Sequence, residues 1–185
     1  ATDAVDIAML SATGTADATT FLRGDNAWTA VVAGIGTASM WSLDSGIDLV
    51  DGDNFLTGAM TDIGSVGSAM TVSSGVFTFP STGIWSILFN GFGNKTPTSP
   101  YWVVRIWQTT NDGGAWTKKA QSGNGFGDND AYANAVASCM FDVTDTANYK
   151  VKFSTEEHYG SGVASLFAGT DYIRSYFQFE RWGDT

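Results

Sequence analysis

Apolar and polar residues alternate over short stretches of this chain, most clearly across residues 75–89. Val76, Phe77, Thr78 and Phe79 form one run. Pro80 and Gly83 then mark a turn, because proline fixes its own φ and glycine tolerates the conformations a reversal requires. Beyond the turn the faces separate: Trp85, Ile87 and Phe89 point one way, Ile84, Ser86 and Leu88 the other. The pattern predicts strand, turn, strand. Tyr149, Lys150, Val151, Lys152 and Phe153 alternate in the same manner, with the lysines on the wet face. Residues 101–107 are apolar on both faces, which suits a strand between two sheets or at a subunit interface. Asn111, Asp112, Gly113 and Gly114 form a hairpin-turn signal. Short strands are expected over 70–72 and 76–79, and a terminal strand over 173–182. Residues 121–130, with Gly123, Gly125 and Gly127, read as a long flexible loop. No helical period is sustained anywhere. Strands at this spacing predict an all-β sandwich or jelly roll.

The first 36 residues depart from this pattern. They are rich in Ala, Thr, Asp and Gly, with isolated apolar positions too sparse for a core. The expected organisation is a short irregular stem over 1–36 and a head over 37–185. Phe21, Leu22 and Trp28 of the stem need other chains, or the head, to cover them. Arg23, Gly24 and Asp25 spell an adhesive tripeptide, but a glycine turn flanked by an Arg–Asp contact accounts for them equally.

Composition narrows the function classes. The chain has 185 residues, 22 Gly, three Pro and 14% aromatic side chains. Nine basic against 19 acidic residues leave a formal charge of −10. Phosphate contacts need Lys and Arg, so a nucleic-acid partner is not expected. The same ground argues against attraction to an anionic membrane, and no apolar run approaches the length of a spanning helix, so no membrane insertion is expected. The chain begins with Ala1, which suggests a fragment or a processed product. Cys139 stands alone in the apolar run 136–141 and reads as a small buried hydrophobe. A catalytic thiolate would want a histidine beside it, and the sole histidine, His158, lies in a different segment.

Two resemblances sharpen the picture. Residues 79–89, with Phe79, Pro80, Gly83, Trp85 and Ile87, resemble the best-marked block of the C1q/TNF-like jelly rolls. Ala137 and Ser138 followed by residues 141–153 resemble that family's paired late strands, and residues 174–183 its closing strand. The three blocks stand in the right order across 42–183. Residues 14–28, with Phe21, Leu22, Arg23, Gly24, Asp25 and Trp28, resemble a segment that recurs in bacteriophage tail-fibre proteins. Together they imply a ten-stranded jelly-roll head assembled as a homotrimer. The chain is then the receptor-binding part of a tail fibre, carried on the virion, joined to the rest of the fibre and directed at a host cell-surface glycan or protein. Seven Trp, six Tyr and twelve Phe exceed what one sandwich readily hides, and a trimer interface would absorb the surplus. A fibre-borne polysaccharide depolymerase and a secreted cellular C1q-like protein are the alternatives.

The candidate receptor-binding residues are Trp116, Asp128, Asp130 and Tyr132. They fall where the family resemblance lapses, within or beside 106–130, and combine stacking faces with polar acceptors. Trp107 and Phe126 accompany them, Trp107 reading as core. Asp128 and Asp130 sit in a Gly-rich loop within reach of one cation. The resemblance implies calcium there, and an ordinary solvated acidic loop explains the same residues. Asp48, Asp51 and Asp53 are a second calcium candidate, or an Asx turn. For an enzyme, Glu156 and Glu157 are adjacent and would face opposite sides of a strand. No nucleophile, P-loop or zinc-protease motif occurs, so catalysis is not expected.

Overall fold

The computed structural model describes residues 13–30, 35–95, 101–125, 132–158, 164–169 and 172–184. The chain divides into two compact units, Ala1–Gly34 and Ile35–Thr185. Among the described residues there is no helix, hence none long and apolar enough to cross a membrane.

In the first unit β1 (Thr20–Leu22) pairs antiparallel with β2 (Trp28–Ala30). The turn is closed by the Arg23 amide on the Ala27 carbonyl at 2.9 Å and the Asn26 amide on the Arg23 carbonyl at 3.0 Å. Asn26 takes φ 63°, a left-handed conformation that asparagine tolerates. Arg23 and Asp25 pair across this turn at 3.5 Å with both side chains more than half exposed, as the structural reading of the tripeptide expects. A single hairpin of three-residue strands holds no core of its own.

The second unit is a sandwich of two antiparallel sheets. The seven-stranded sheet runs β4 (Ile47–Leu49), β14 (Ala164–Leu166), β9 (Gly83–Lys95), β15 (Tyr176–Gly183), β3 (Thr37–Leu43) and β6 (Met60–Val66), with β12 (Tyr132–Val143) also paired to β9. The six-stranded sheet runs β11 (Thr117–Gly125), β10 (Tyr101–Thr109), β13 (Lys150–His158), β8 (Val76–Thr78) and β7 (Thr71–Ser73), with β5 (Asn54–Phe55) also on β13. The described head residues thus form 13 strand segments where the resemblance implies ten. The surplus consists of pieces two or three residues long, such as β4, β5 and β14.

The alternation seen in the sequence aims one face of each sheet inward. Trp85, Ile87 and Phe89 of β9, Trp102, Val104 and Ile106 of β10, Val151 and Phe153 of β13, and Phe177 and Phe179 of β15 are all fully buried. Phe153 is a hub of the aromatic pile, its ring 4.4 Å from Phe177, 5.4 Å from Phe89, 5.7 Å from Phe77 and 6.0 Å from Phe179. Edge and tilted contacts of this kind add to the area term for burying large rings. Lys150 and Lys152 face outward, as expected.

The segment at 75–89 is two strands, but they do not pair. β8 belongs to one sheet and β9 to the other, so the Pro80–Gly83 turn carries the chain across the sandwich. Gly83 has φ 132°, and a Cβ there would lie 2.4 Å from the Gly183 carbonyl oxygen. Only glycine fits that crossing.

Residues 121–125 correct the loop expectation: they are the second half of β11, paired with β10 from Gln121↔Arg105 to Gly125↔Tyr101. Backbone ladder bonds form whatever the side chains, and an edge strand need be apolar on neither face, so the glycines hid it. The hairpin turn between them is where the Asn-Asp-Gly-Gly signal put it, with Asp112 and Gly113 at positive φ. The remainder of that expected loop, 126–130, lies outside the described residues.

Candidate functional site

The outer face of the six-stranded sheet carries a patch of rings around one lysine. β5, β10 and β13 bring Phe55, Trp107 and Lys152 together, and the turn before β11 adds Trp116. Lys152 Nζ lies 3.7 Å from the Phe55 ring centre and 4.3 Å from that of Trp116. Phe55 meets Trp107 at 5.6 Å, and Lys118 Nζ stands 5.9 Å over the Trp107 ring. Dehydration between the rings holds the Lys152 ammonium below the usual lysine range, while Asp53 pulls the other way. Trp107 is therefore not core, as its sequence suggested. It is half-buried on the outer face, and its indole N–H donates to Ser154 Oγ at 2.8 Å.

Beside this patch Arg105 is clamped by two carboxylates. It pairs with Asp53 at 2.5 Å and with Glu156, and its Nε–H donates to Gln121 at 2.9 Å. Ser154 Oγ donates to the same Asp53 oxygen at 2.8 Å. Asp48 instead accepts from Ser165 Oγ at 2.8 Å. Asp48 and Asp53 are thus turned to separate partners and do not converge with Asp51 on a cation. Among the described residues no group of three or more His, Cys, Asp or Glu side chains is placed to hold a metal. Asp128 and Asp130 lie outside the described residues, as does Phe126.

Tyr132 opens β12 on the other sheet. It is 65% exposed and stacks on Phe92 of β9 at 5.8 Å with the planes 11° apart. Phe167, just after β14, completes the group at 5.9 Å from Tyr132 and 6.0 Å from Phe92. Farther along the same outward face stand Val136, Met140 and Trp182, at 45%, 53% and 63% exposure, with Ile84 and Leu88 half-buried among them.

Trp116 and Tyr132 are therefore not one site. Asn124 at the far end of β11 donates to the Asn134 carbonyl at 2.7 Å, so β11 itself separates the two. Eight residues of strand at ~3.3 Å each put Trp116 roughly 25 Å from that end. The rings Phe55, Phe92 and Phe167 went unnoticed in the sequence because each joins its group through strand pairing distant in the chain. Cys139 is half-buried, and burial pushes its thiol up to about 12 against the pull of Lys119. A thiol so protonated is no nucleophile.

The chain matches no family model and no curated protein sequence. Its shape does match solved structures. Murine APRIL at pH 8.0 superposes with a TM-score of 0.57 and 8% identity over 79% of this chain and 98% of that one. Eiger TNF from S. frugiperda gives 0.57 and 9% over 80% and 93%. The fold is accordingly a TNF-like jelly roll, an all-β sandwich of antiparallel sheets.

Proposed function

We propose that this chain is the receptor-binding head of a bacteriophage tail fibre, a homotrimer that recognises a host cell-surface glycan during adsorption. It binds rather than catalyses. Residues 1–36 join it to the rest of the fibre on the virion. The observation that carries the reading is the exposed apolar row Val136, Met140 and Trp182 on the outer face of a TNF-like sheet. Patches of this sort mark self-association or partner surfaces, and the C1q/TNF-like resemblance assigns trimers. The tail-fibre role rests on the segment 14–28. Receptor contacts are proposed at Trp116, through its ring patch, at Tyr132 beyond the opposite end of β11, and at Asp128 and Asp130. Three copies per head raise avidity without new contacts. Calcium between Asp128 and Asp130 belongs to this proposal, with chelation expected to lower the melting temperature.

The test joins mass and adsorption. Sedimentation equilibrium should give three times the chain mass of 19.6 kDa. Val136→Asp combined with Met140→Asp should give a folded monomer. The wild-type head should bind bacterial cells and block adsorption of the phage. A wild-type monomer at micromolar concentration, or a trimer that binds no strain, overturns the reading.

A further inference from the structure

We infer that the ring pocket beside Tyr132 takes an acidic sugar, a pyranose bearing a carboxylate, with its ring on Tyr132, which Phe92 backs, and its carboxylate on Arg174. This rests on the glycan-receptor reading and names the class of sugar. The pocket has a volume of about 450 Å³ and is lined by Phe92, Tyr132, Phe167, Tyr172 and Arg174. That volume suits one or two sugar rings, within the usual range of small-molecule sites.

The chemistry follows from what Arg174 is doing. The other two arginines of the head are spent on carboxylates: Arg105 on Asp53 and Glu156, Arg181 on Asp184. Arg174 has no carboxylate partner among the described residues. Its guanidinium lies 4.4 Å over the Tyr172 ring and 5.4 Å from that of Phe167, and one N–H donates to the Tyr172 hydroxyl. A guanidinium has five N–H donors in a planar fork, so most stay available to a planar carboxylate, which it matches in bidentate fashion. The rings hold the fork in place, which lowers the entropy lost on binding. Beside it the exposed Tyr132 ring, stacked on Phe92, offers a flat apolar wall. The Asn134 side chain, on the adjoining part of the groove, supplies an amide for hydroxyls.

Other anions fit less well. A nucleotide or polyphosphate needs several cations, and Arg174 is the single charged side chain among the described residues that line the pocket. The formal charge of −10 disfavours a polyanion, whereas a single carboxylate at the arginine is screened from distant charges beyond about 8 Å at physiological salt.

The experiment is saturation-transfer NMR and calorimetry on the full chain. The probes are N-acetylneuraminic acid and glucuronic acid, with N-acetylglucosamine and glucose as neutral controls. At least one acid should bind, and its neutral counterpart should bind roughly tenfold more weakly or worse, as expected for a charge-assisted pair. Arg174→Gln and Tyr132→Ala should each weaken the acid by a similar factor, with melting temperature and oligomeric mass unchanged. Should Arg174→Gln fail to fold, Tyr132→Ala at its exposed position decides. Equal binding of acid and neutral sugar, wild-type affinity in a folded variant, or binding of neither acid overturns the inference. Protein that adsorbs to cells yet binds neither acid sinks this inference and leaves the receptor reading. Protein that binds an acid yet adsorbs to no strain does the reverse.

Discussion

Lys152 points its ammonium at the face of Phe55, 3.7 Å from the ring centre, although nothing in the alternation around it distinguishes it from the neighbouring Lys150. The indole of Trp116 flanks it on another side. The contact links the short strand β5 to the long strand β13 and trades hydration for ring contacts.

That trade sets a pH dependence. The ammonium is held below its ordinary value of 10.5 by dehydration. Between the lowered value and 10.5 the unfolded chain keeps a proton that the folded one has released, so stability rises with pH across that window. In melting curves from neutral to alkaline pH, Lys152→Met should remove this rise relative to wild type. Parallel curves for the two proteins would show that the ammonium is not dehydrated in the fold.

Arg105 is a different kind of cation, because its two carboxylates are themselves largely shielded, at 30% and 15% side-chain exposure for Asp53 and Glu156. Arg105→Met should cost about 3 kcal/mol, since it leaves two like charges together beside the patch. Adding Asp53→Asn and Glu156→Gln should restore most of that loss. Urea unfolding measures both, and a loss in Arg105→Met within about 0.5 kcal/mol of zero would show that the clamp contributes nothing.

Phe153 touches four other phenylalanines in the core. Phe153→Ala should cost about 3–5 kcal/mol by removing the hub and leaving a cavity. Phe21→Ala, at a half-exposed position in the first unit, should leave the main transition within about 0.5 kcal/mol. Similar losses from both would mean that the first unit shares the core.

The sandwich was legible because a buried sheet face writes a period of two into the chain. Trp85, Ile87 and Phe89, or Val151 and Phe153, announce their side without any knowledge of their partners. What pairs with what left no such mark. β8 and β9 look like a hairpin and belong to opposite sheets, and β11 looks like a loop because an edge strand needs no apolar side chain. The candidate site was legible in its ring types and illegible in its grouping. Trp116 and Tyr132 stand close in sequence and far apart in space, while Trp116 and Phe55 are the reverse. Trp107 read as core because its strand is apolar on both faces, and its side chain is outward all the same, hydrogen-bonded to Ser154.

Deleting residues 1–34 should leave the remaining unit with its cooperative unfolding transition and an unchanged near-ultraviolet spectrum. The contacts of Ile35–Thr185 cluster separately from those of the first unit. Loss of the transition would make residues 1–34 part of the head.

The position of β15 has a consequence for how the protein is made. It is wedged between β3 and β9, both translated long before it. Until residues 176–183 leave the ribosome, those two strands face a slot they cannot close, with unpaired backbone on both rims. Such edges recruit whatever strand is nearest, and wherever identical chains are made side by side that is the same strand of a neighbour. Closure of this sheet therefore waits for β15, and it is slow, as pairings between distant segments are. A nascent chain stalled before Tyr176 would carry two open edges at once. Its hazard would be aggregation with its siblings rather than simple loss of a strand.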